Sequence, residues 1–374
     1  MDFDGYAKQA RGDVSVTVVE NHRLLQYQRE QLFGEEHEPI EKEAMAATYI
    51  AQCKDALIIG GSSVVVSSNG TILYDLLYHK EKYNANVTDH GLFMLTGKPF
   101  QKGSSYFYNY TVKEKQAIPS GVSLACNMSG NYYHFIYDCA ARLTLLSKGM
   151  ISKEVPLLVD ECVLAIPSMK DILMAMNIED REIIPLKENV AYTVRDLFVL
   201  SPVNKVIPNT MDATIVAHKG HSFDPTVLHA MRRRLLPLSN KESNMPKRIF
   251  ISRNKCLLRK LNEEELFPIL KDYGFDRVFT EGMSLVEQIT LFANAEHIVA
   301  SSGAALSNLL FCRPGTRVLI FISPRRPGIY SSLALSLELD CQALLVKSDE
   351  KTLHPSHLKA KPGELKKYLT SIYG

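Results

Sequence analysis

Short apolar runs alternate with longer, helix-like segments throughout the second half of the chain. Helical spacing of apolar residues predicts helices over 263–273, 285–294, 304–311, 330–337 and 355–371. The apolar runs between and around them predict the strands RIFIS (248–252), DRVFT (276–280), EHIVA (296–300), RVLIFI (317–322) and QALLV (342–346). Strands that alternate with helices of this length indicate an α/β fold with a parallel, doubly wound sheet. Such sheets bind ligands at the carboxyl ends of their strands.

The pattern before residue 247 is less regular. Residues 1–50 are predicted to be helical, with charge after residue 20, and the Gly-Gly and Asn-Gly turns in 56–79 indicate short strands. Further strands are predicted over 122–127, 155–159, 181–186 and 190–200, and helices over 131–149, 167–176 and 223–238. The polar segment 238–247 is the predicted linker, so we expect two domains, 1–238 and 239–374.

Composition excludes several classes of protein. The chain has 374 residues, of which 46% are hydrophobic and 22% charged, and a net charge of +2 argues against binding nucleic acid through bulk positive charge. Seven cysteines without a CxxC spacing argue against a disulfide framework or a zinc site and favour a reducing compartment. The one Asp-x-Asp, Asp2–Asp4, is terminal, and no HxH or HExxH occurs, so no metal site is predicted.

The same sequence carries no targeting pattern. The N-terminus is acidic and polar rather than a signal peptide, and no apolar stretch approaches 18 residues. A cytoplasmic location without a transmembrane segment is therefore expected. The basic runs Arg232–Arg234 and Arg325–Arg326 are compatible with peripheral contact with an anionic membrane, and a solvated charged surface explains them equally well.

Small residues replace bulky ones where the predicted strand 296–300 turns into the helix 304–311. Ser301, Ser302, Gly303 and Ala304 occupy this turn. Free N–H groups and the helix dipole favour an anion there, and small side chains let a phosphate approach the backbone. The alternative is a tight turn with serine as the N-cap, since the segment is neither a GxGxxG nor a Walker loop.

A basic loop follows the predicted strand RIFIS. Arg253, Lys255 and Arg259 lie within a few residues of its end. Parallel strands place this loop at the same sheet edge as the small-residue turn, and guanidinium groups can bind a diphosphate bidentately. A solvated basic loop is the alternative, but two signals at one edge favour a diphosphate site.

Two predicted helices begin with residues that suit a capping box. Ser284 with Glu287 fits this motif, and Asn262 with Glu265 forms a similar pair. Glu287 could instead bind a ribose hydroxyl from the same sheet edge. The cap is the favoured interpretation.

A charged stripe crosses the otherwise apolar predicted helix 131–149. His134, Asp138 and Arg142 are spaced i, i+4 and i+8, which places them on one face. The stripe is either a surface-facing ion pair of Asp138 with Arg142 or a cleft-facing carboxylate held by His134 and Arg142. In the second case Asp138 can act as a general base toward a hydroxyl.

In combination these stretches resemble the family 61 glycosyltransferases. The resemblance is carried by NYYHFIYDCAARL, RIFISRNKCLLRKLNEEEL and GFDRVFTEGMSLVEQITLFANAEHIVASSGAALSNLLFCRPGT, which span about 130–320. It implies a GT-B-like fold, with two Rossmann-like domains facing a cleft and the donor nucleotide mainly on the C-terminal one. It also implies inverting transfer of a sugar from a nucleotide-sugar, UDP-linked donors being favoured, without a metal or other cofactor. The bacterial capsule and exopolysaccharide branch is favoured.

The resemblance further implies roles for individual residues. His134 and Asp138 match the family's His-x-x-x-acid pair, with Asp138 as the base, and Asn131 and Arg142 support them. Arg253 matches a position that binds the diphosphate. Glu287, Gly303, Ala304 and Asn308 match further donor-site positions of the family. With Lys255, Arg259, Ser301 and Ser302, argued above, they and Arg253 form the predicted donor-binding set.

One departure from the family pattern leaves two functions open. Ser302 stands where the family usually has histidine, and Ala305 stands where it has glycine; serine can donate a hydrogen bond but carries no charge. The chain is either an active transferase acting on a glycan or lipid-linked glycan, or a degraded relative that binds a glycan or nucleotide as a partner protein. A nicotinamide-dependent dehydrogenase or an epimerase is disfavoured, because no GxGxxG follows a predicted strand.

Overall fold

The computed structural model describes residues 3–9, 12–73, 100–102, 105–107, 115–205, 221–240, 242, 244–323, 329–348 and 356–374. The chain divides into two compact units, Met1–Leu24 with Ala44–Asp212 and Leu25–Glu43 with Ala213–Gly374. This division falls at residues 212 and 213, whereas the sequence suggested 238 and 239. The roles expected for the two domains remain predictions. Arg325 and Arg326 lie outside the described residues.

Among its described residues, the first unit is built on a mixed sheet of eight strands. The strands up to residue 200 are β1 (Val14–Glu20), β2 (Arg23–Tyr27), β3 (Glu41–Met45), β4 (Thr48–Ile59), β5 (Val65–Val66), β6 (Ile72–Leu73), β7 (Phe100–Lys102), β8 (Ser105–Phe107), β9 (Lys115–Ser123), β10 (Leu157–Asp160), β11 (Ile183–Leu186) and β12 (Ala191–Leu200). The sheet order is β11-β10-β9-β12-β4-β5-β6, with β1 beside β4. The strands from β11 to β12 are parallel, whereas β4 runs antiparallel to β12, β1 and β5.

The prediction of helix for residues 1–50 is wrong for most of this segment. Among its described residues, only α1 (Phe3–Gln9) is helical. The sequence VSVTVVE of β1 alternates apolar with polar residues, which is the period of a strand, and β1 pairs with β4. Of the charged residues that follow, Arg23 lies in β2 and Glu41, Lys42 and Glu43 lie in β3, and these two strands pair with each other in a separate sheet.

The helix predicted over 131–149 is confirmed, but it is not a regular α-helix. It consists of an α-helical turn (Tyr132–His134), a π-helical segment (Phe135–Cys139) and a 3-10 segment (Ala140–Lys148), which we call the composite helix. Gly149, with φ of 67°, adopts the left-handed conformation that ends it. The helices α2 (Glu161–Ala165) and α3 (Pro167–Met176) follow, the second as predicted.

The parallel sheet predicted for the second unit is confirmed. Its strands are β13 (Arg248–Ile251), β15 (Asp276–Val278), β16 (His297–Ser301), β17 (Arg317–Ile322) and β18 (Asp340–Leu345), and the short pair β14 (Lys260–Leu261) and β19 (His357–Leu358) lies apart. The helices are α4 (Pro225–Leu235) with a 3-10 turn (Leu236–Leu238), α5 (Glu263–Asp272), α6 (Leu285–Asn294), a 3-10 helix (Ala304–Phe311), α7 (Ile329–Ser336) and α8 (Pro362–Tyr373). Among the described elements, no helix has the length and apolar character needed to cross a membrane.

The strand order of this sheet creates a switch point. The order is β15-β13-β16-β17-β18, so the chain moves outward from β13 in one direction to β15 and in the other to β16. Phe250 on β13 and Val299 on β16 point toward α5 and α8 and share their apolar core. In open α/β sheets, ligands bind outside the carboxyl ends of the strands at such a point. The ends of β13 and β16 are therefore the expected place for a ligand.

The C-terminal helix begins later than predicted. α8 starts at Pro362 rather than at residue 355, because His357 and Leu358 pair with β14. Asn262 reinforces this pairing, since its side chain donates to Ala360 O at 3.0 Å and accepts from Ala360 N at 2.9 Å.

Candidate functional site

The composite helix positions the predicted His134–Asp138 pair. The Asn131 side-chain oxygen caps its start by accepting from the backbone N–H groups of Tyr133 at 3.0 Å and His134 at 3.5 Å. His134 Nδ1 and Asp138 Oδ2 are 2.7 Å apart, as i, i+4 spacing predicts. The other carboxylate oxygen, Oδ1, is buried and has no hydrogen-bond partner among the described residues. One oxygen of Asp138 is thus held by the imidazole, and the other is uncommitted.

The charged stripe is not a solvated surface. The side chains of His134 and Asp138 are each 15% exposed, and Arg142 is 6% exposed. The surface-facing interpretation is therefore wrong. Asp138 itself lies in the π-helical segment, where the amide of Asn204 donates to the carbonyl of Tyr137 at 3.1 Å. Such π-helical turns frequently occur at functional sites.

Asp160 supports the segment that leads into the composite helix, and the sequence analysis did not identify it. Its carboxylate is 3% exposed and accepts from the backbone N–H groups of Gly61 at 2.7 Å and Cys126 at 3.1 Å. Burial raises the pKa of Asp160, and these hydrogen bonds oppose that shift. The signal in the sequence was an aspartate at the carboxyl end of the apolar run 157–159.

In the second unit, the structure brings Arg253 to Gly303 at the switch point. A Cβ placed on Gly303 would lie 2.0 Å from Arg253 Nη1, so the guanidinium occupies the space that a side chain would need. Arg253 Nε and Nη2 both donate to Leu258 O, at 3.2 and 3.0 Å. The two sequence signals that were expected to share one sheet edge do meet there.

The other cations of the basic loop have different neighbours. Lys255 Nζ lies 4.5 Å from the centre of the Phe279 ring, which is a cation–π contact. Arg259 has a positive φ of 59° in the same loop. Arg253 therefore lies against Gly303, whereas Lys255 lies over the ring of Phe279.

The small-residue turn presents backbone and hydroxyl groups. Ser301, at the end of β16, is 3% exposed, and its hydroxyl has no partner among the described residues. Ser302 is 7% exposed, and its N–H donates to Phe321 O at 3.0 Å. Gly303 precedes the 3-10 helix that begins at Ala304, and none of the described side chains caps that helix start. Its first N–H groups are thus open to an anion rather than to a serine cap.

Asn308 and Glu287, two predicted donor-site residues, form hydrogen bonds with other residues of the protein. Asn308 is fully buried, and its amide donates to Gln288 Oε1 at 2.9 Å and Ala305 O at 3.2 Å. Glu287 forms the favoured capping box with Ser284, whose backbone N–H and hydroxyl hold the pKa of Glu287 below its usual range. Their donor-binding roles remain predictions.

The second capping box is wrong, and the same helix start contains a residue that the sequence analysis missed. The Asn262 side chain is engaged with Ala360 and makes no cap bond. Glu263 instead reaches back to β13: its carboxylate accepts from the Ser252 hydroxyl at 2.6 Å and the Arg253 N–H at 2.7 Å. The signal in the sequence is Asn262-Glu263-Glu264 shortly after Ser252-Arg253, a pattern that a helix cap also explains.

Comparison with known proteins connects these features. The chain matches the family model described as Glycosyltransferase 61 over residues 132–319, just over half of its length. The match starts in the composite helix and ends within β17, so it includes both the His134–Asp138 pair and the Arg253–Gly303 contact. No curated protein matches the chain. Among the described residues, no three His, Cys, Asp or Glu side chains are grouped so that they could hold a metal ion.

Proposed function

Because the chain belongs to the glycosyltransferase 61 family, we propose that it transfers a sugar, with inversion, from a nucleotide-sugar to a hydroxyl of a glycan or glycoconjugate. Family membership implies glycosyltransferase activity; the stereochemistry, donor and acceptor are part of the proposal. We favour a UDP-linked donor, a GT-B arrangement and a role in capsule-type polysaccharide assembly. We further propose that the acceptor is a glycan or a lipid-linked glycan. The proposed location is cytoplasmic, with peripheral membrane contact.

The observation that carries the proposal is the uncommitted Oδ1 of Asp138. In the proposed reaction this carboxylate takes the proton of the acceptor hydroxyl as the acceptor oxygen bonds to the anomeric carbon. The bond from that carbon to the diphosphate breaks, and its electron pair leaves on the phosphate oxygen. His134 holds the second carboxylate oxygen of Asp138 and orients the base.

The leaving diphosphate needs positive charge and hydrogen-bond donors. We propose that Arg253 and the backbone N–H groups after Gly303 supply them, with the hydroxyls of Ser301 and Ser302 as further donors. Stabilisation of this kind performs the work that a metal ion does in other transferases, so we propose metal-independent activity.

Replacing Asp138 with asparagine tests the assignment of the base. Asp138→Asn keeps the shape of the side chain but cannot accept the proton, so we expect kcat to fall by about 10²–10⁴-fold. A panel of nucleotides is first screened for the one that raises the midpoint of thermal unfolding, and the matching nucleotide-sugar is the donor in the transfer assay. The rate of sugar transfer and the affinity for that nucleotide are then measured, and the affinity should not change. Asp171→Asn, at an exposed position of α3, is the matched control. Wild-type turnover in Asp138→Asn would remove Asp138 from the base role.

A second candidate function is that of a non-catalytic glycan- or nucleotide-binding partner protein. It is favoured by Ser302, which replaces the family's usual histidine close to the predicted phosphate position. Ser302→His distinguishes the two functions in the same transfer assay. A gain of transfer would support the degraded site, whereas a loss would mean that Ser302 suits the donor of an active enzyme.

A further inference from the structure

Glu263 is a buried carboxylate that binds two consecutive residues at the switch point. It is the first residue of α5 and is 2% exposed. One oxygen accepts from the Ser252 hydroxyl at 2.6 Å, and the other accepts from the Arg253 backbone N–H at 2.7 Å. Ser252 and Arg253 directly follow β13, where the second unit is expected to bind its ligand.

The surroundings of Glu263 offset the cost of burying a carboxylate. Its position at the start of α5 places it at the positive end of the helix dipole. Arg277 Nε lies 4.0 Å from the same oxygen that binds Ser252. The apolar residues Leu266 and Leu270 of α5 pack in the core of the second unit. The hydrogen bonds of Glu263 are made instead with Ser252 and Arg253, at the end of β13.

The network fixes Arg253 at both ends. Glu263 holds the backbone N–H of Arg253, and the Leu258 carbonyl accepts from Nε and Nη2 of its guanidinium. The third guanidinium nitrogen, Nη1, is the one that lies against Gly303. Without the backbone contact, the loop that begins at Ser252 would be free to turn the arginine away from the small-residue turn.

We propose that Glu263 is a positioning residue that sets Arg253 in the orientation that binds the donor diphosphate. The inference rests on the proposed function, because it assumes that Arg253 binds a diphosphate. Glu263 itself does not contact the ligand. Its effect on binding must therefore pass through Arg253, and this gives the test.

A double-mutant cycle measures that dependence. The affinity for UDP and for inorganic pyrophosphate is determined by calorimetry in EDTA for the wild type, Arg253→Ala, Glu263→Ala and the double variant. We expect each single change to lower the affinity for both ligands by about tenfold or more. Arg253→Ala removes the guanidinium itself, and Glu263→Ala leaves the Arg253 N–H unpaired. In the Arg253→Ala background, Glu263→Ala should change the affinity by less than about twofold.

Matched variants separate positioning from a general loss of structure. Glu264→Ala removes an exposed carboxylate from the same helical turn, and it should leave the affinity unchanged. Glu263→Gln retains an oxygen that can accept from the Arg253 N–H, so it should restore the affinity to within about threefold of wild type. Glu263→Asp keeps the charge but withdraws it from Arg253, and it replaces Glu263→Ala in the cycle if that variant fails to fold by thermal unfolding.

The outcomes distinguish the inference from the proposed function. Coupling between the two positions and rescue by glutamine would support the positioning role. Equal losses from Glu263→Ala with and without Arg253 would overturn it, as would wild-type affinity in Glu263→Ala when Arg253→Ala binds weakly. Failure of the wild type to bind either probe, or full affinity in Arg253→Ala, would overturn the diphosphate site and the inference with it.

Discussion

Gly303 is a predicted donor-site residue that leaves no room for a side chain, because Arg253 occupies the space. Its φ of 179° and ψ of 166° are an extended conformation that any amino acid adopts, so glycine is not required for the backbone. The requirement comes from Arg253, whose Nη1 lies 2.0 Å from the position of an added Cβ. Moving the guanidinium aside breaks its two hydrogen bonds to Leu258 O, and because these bonds are exposed to water their loss costs little stability. A side chain at position 303 would thus displace the guanidinium without much cost to folding.

Gly303→Ala should consequently weaken nucleotide binding while leaving stability nearly unchanged. We expect about a tenfold loss of affinity, which corresponds to about 1.4 kcal/mol. Calorimetric titration with the stabilising nucleotide and thermal unfolding of the same variant measure the two effects. Gly363→Ala is the matched control, because nothing lies within 4 Å of the added Cβ. A variant with wild-type affinity would show that the Arg253 position is irrelevant to binding.

At this scale, pairs set by regular geometry could be predicted and pairs set by loop conformation could not. The His134–Asp138 contact follows from helical spacing, and the meeting of Arg253 with Gly303 follows from parallel strands. Glu263 and Asp160 were missed, because each binds backbone N–H groups of a segment whose path only the folded chain defines. A carboxylate beside a helix start or a strand end also has ordinary local explanations.

Among the elements, β16 and α8 are joined by a buried histidine. His297, at the start of β16, lies between Tyr373, with Nδ1 and Oη 2.7 Å apart, and Tyr368, with Nε2 and Oη 3.0 Å apart. Burial, with smaller contributions from Arg317 and Arg248, lowers the pKa of His297 to about 3. The imidazole is therefore neutral in the folded protein at neutral pH. The interaction belongs to the amino end of the strand, opposite the end that carries Ser301.

Stability should fall as the pH drops below about 6.5, because acid protonates His297 in the unfolded chain before it does so in the folded protein. In the unfolded chain its pKa is about 6.5, so the unfolded state binds the proton first and stability declines as the pH falls from about 6.5 toward 3. Between pH 7.5 and 4.5 this costs the wild type about 3 kcal/mol. Urea unfolding at both pH values should show a smaller decline in His297→Gln, which has no group to protonate. Equal declines in both proteins would contradict a buried neutral histidine.

The accuracy of a predicted helix or strand depends on how clearly its apolar residues follow a helical or an alternating spacing. α6 and the helix over 304–311 have the predicted bounds, because apolar spacing and small flanking residues agree there. The prediction of helix is wrong for β1, whose residues alternate with a period of two. The π-helical segment of the composite helix could not be predicted, since apolar spacing does not distinguish it from an α-helix.

For the whole molecule, the second unit is built from two separate parts of the chain. Leu25–Glu43 belongs to it together with Ala213–Gly374. Phe33 N donates to Ala343 O at 3.0 Å and Ala343 N donates to Gln31 O at 2.8 Å, so this segment extends the sheet beyond β18. The Phe33 ring packs edge-on against Tyr368, with ring centres 5.3 Å apart.

A fragment of residues 213–374 lacks the segment 25–43. We therefore expect it to be less stable than the same fragment with that segment bound. Adding a 25–43 peptide in trans should raise the midpoint of thermal unfolding, by an amount equivalent to about 2.7 kcal/mol at a hundred times its dissociation constant. A peptide carrying Phe33→Ala is the control and should act more weakly. If the peptide leaves the midpoint of the fragment unchanged, the N-terminal segment contributes nothing to this unit.

This membership could not be read from the sequence. Pairing between residues 31–33 and Ala343 joins positions that are more than 300 residues apart, and local patterns do not record such partners. A polar segment at 238–247 suggested a boundary, yet Asn240 N donates to Thr290 Oγ1 at 2.8 Å within the second unit. Composition marks loops, whereas domain membership depends on long-range contacts.

The central claim is that the switch point of the second unit binds a nucleoside diphosphate through Arg253 without a metal. The most direct test is thermal unfolding of the wild type and Arg253→Gln in EDTA with UDP, GDP, CDP, CMP, ADP and dTDP. We expect one of the diphosphates, with UDP favoured, to raise the wild-type midpoint by several degrees and to have little effect on Arg253→Gln. An unchanged wild-type midpoint with every nucleotide, or an equal rise in both proteins, would contradict the claim.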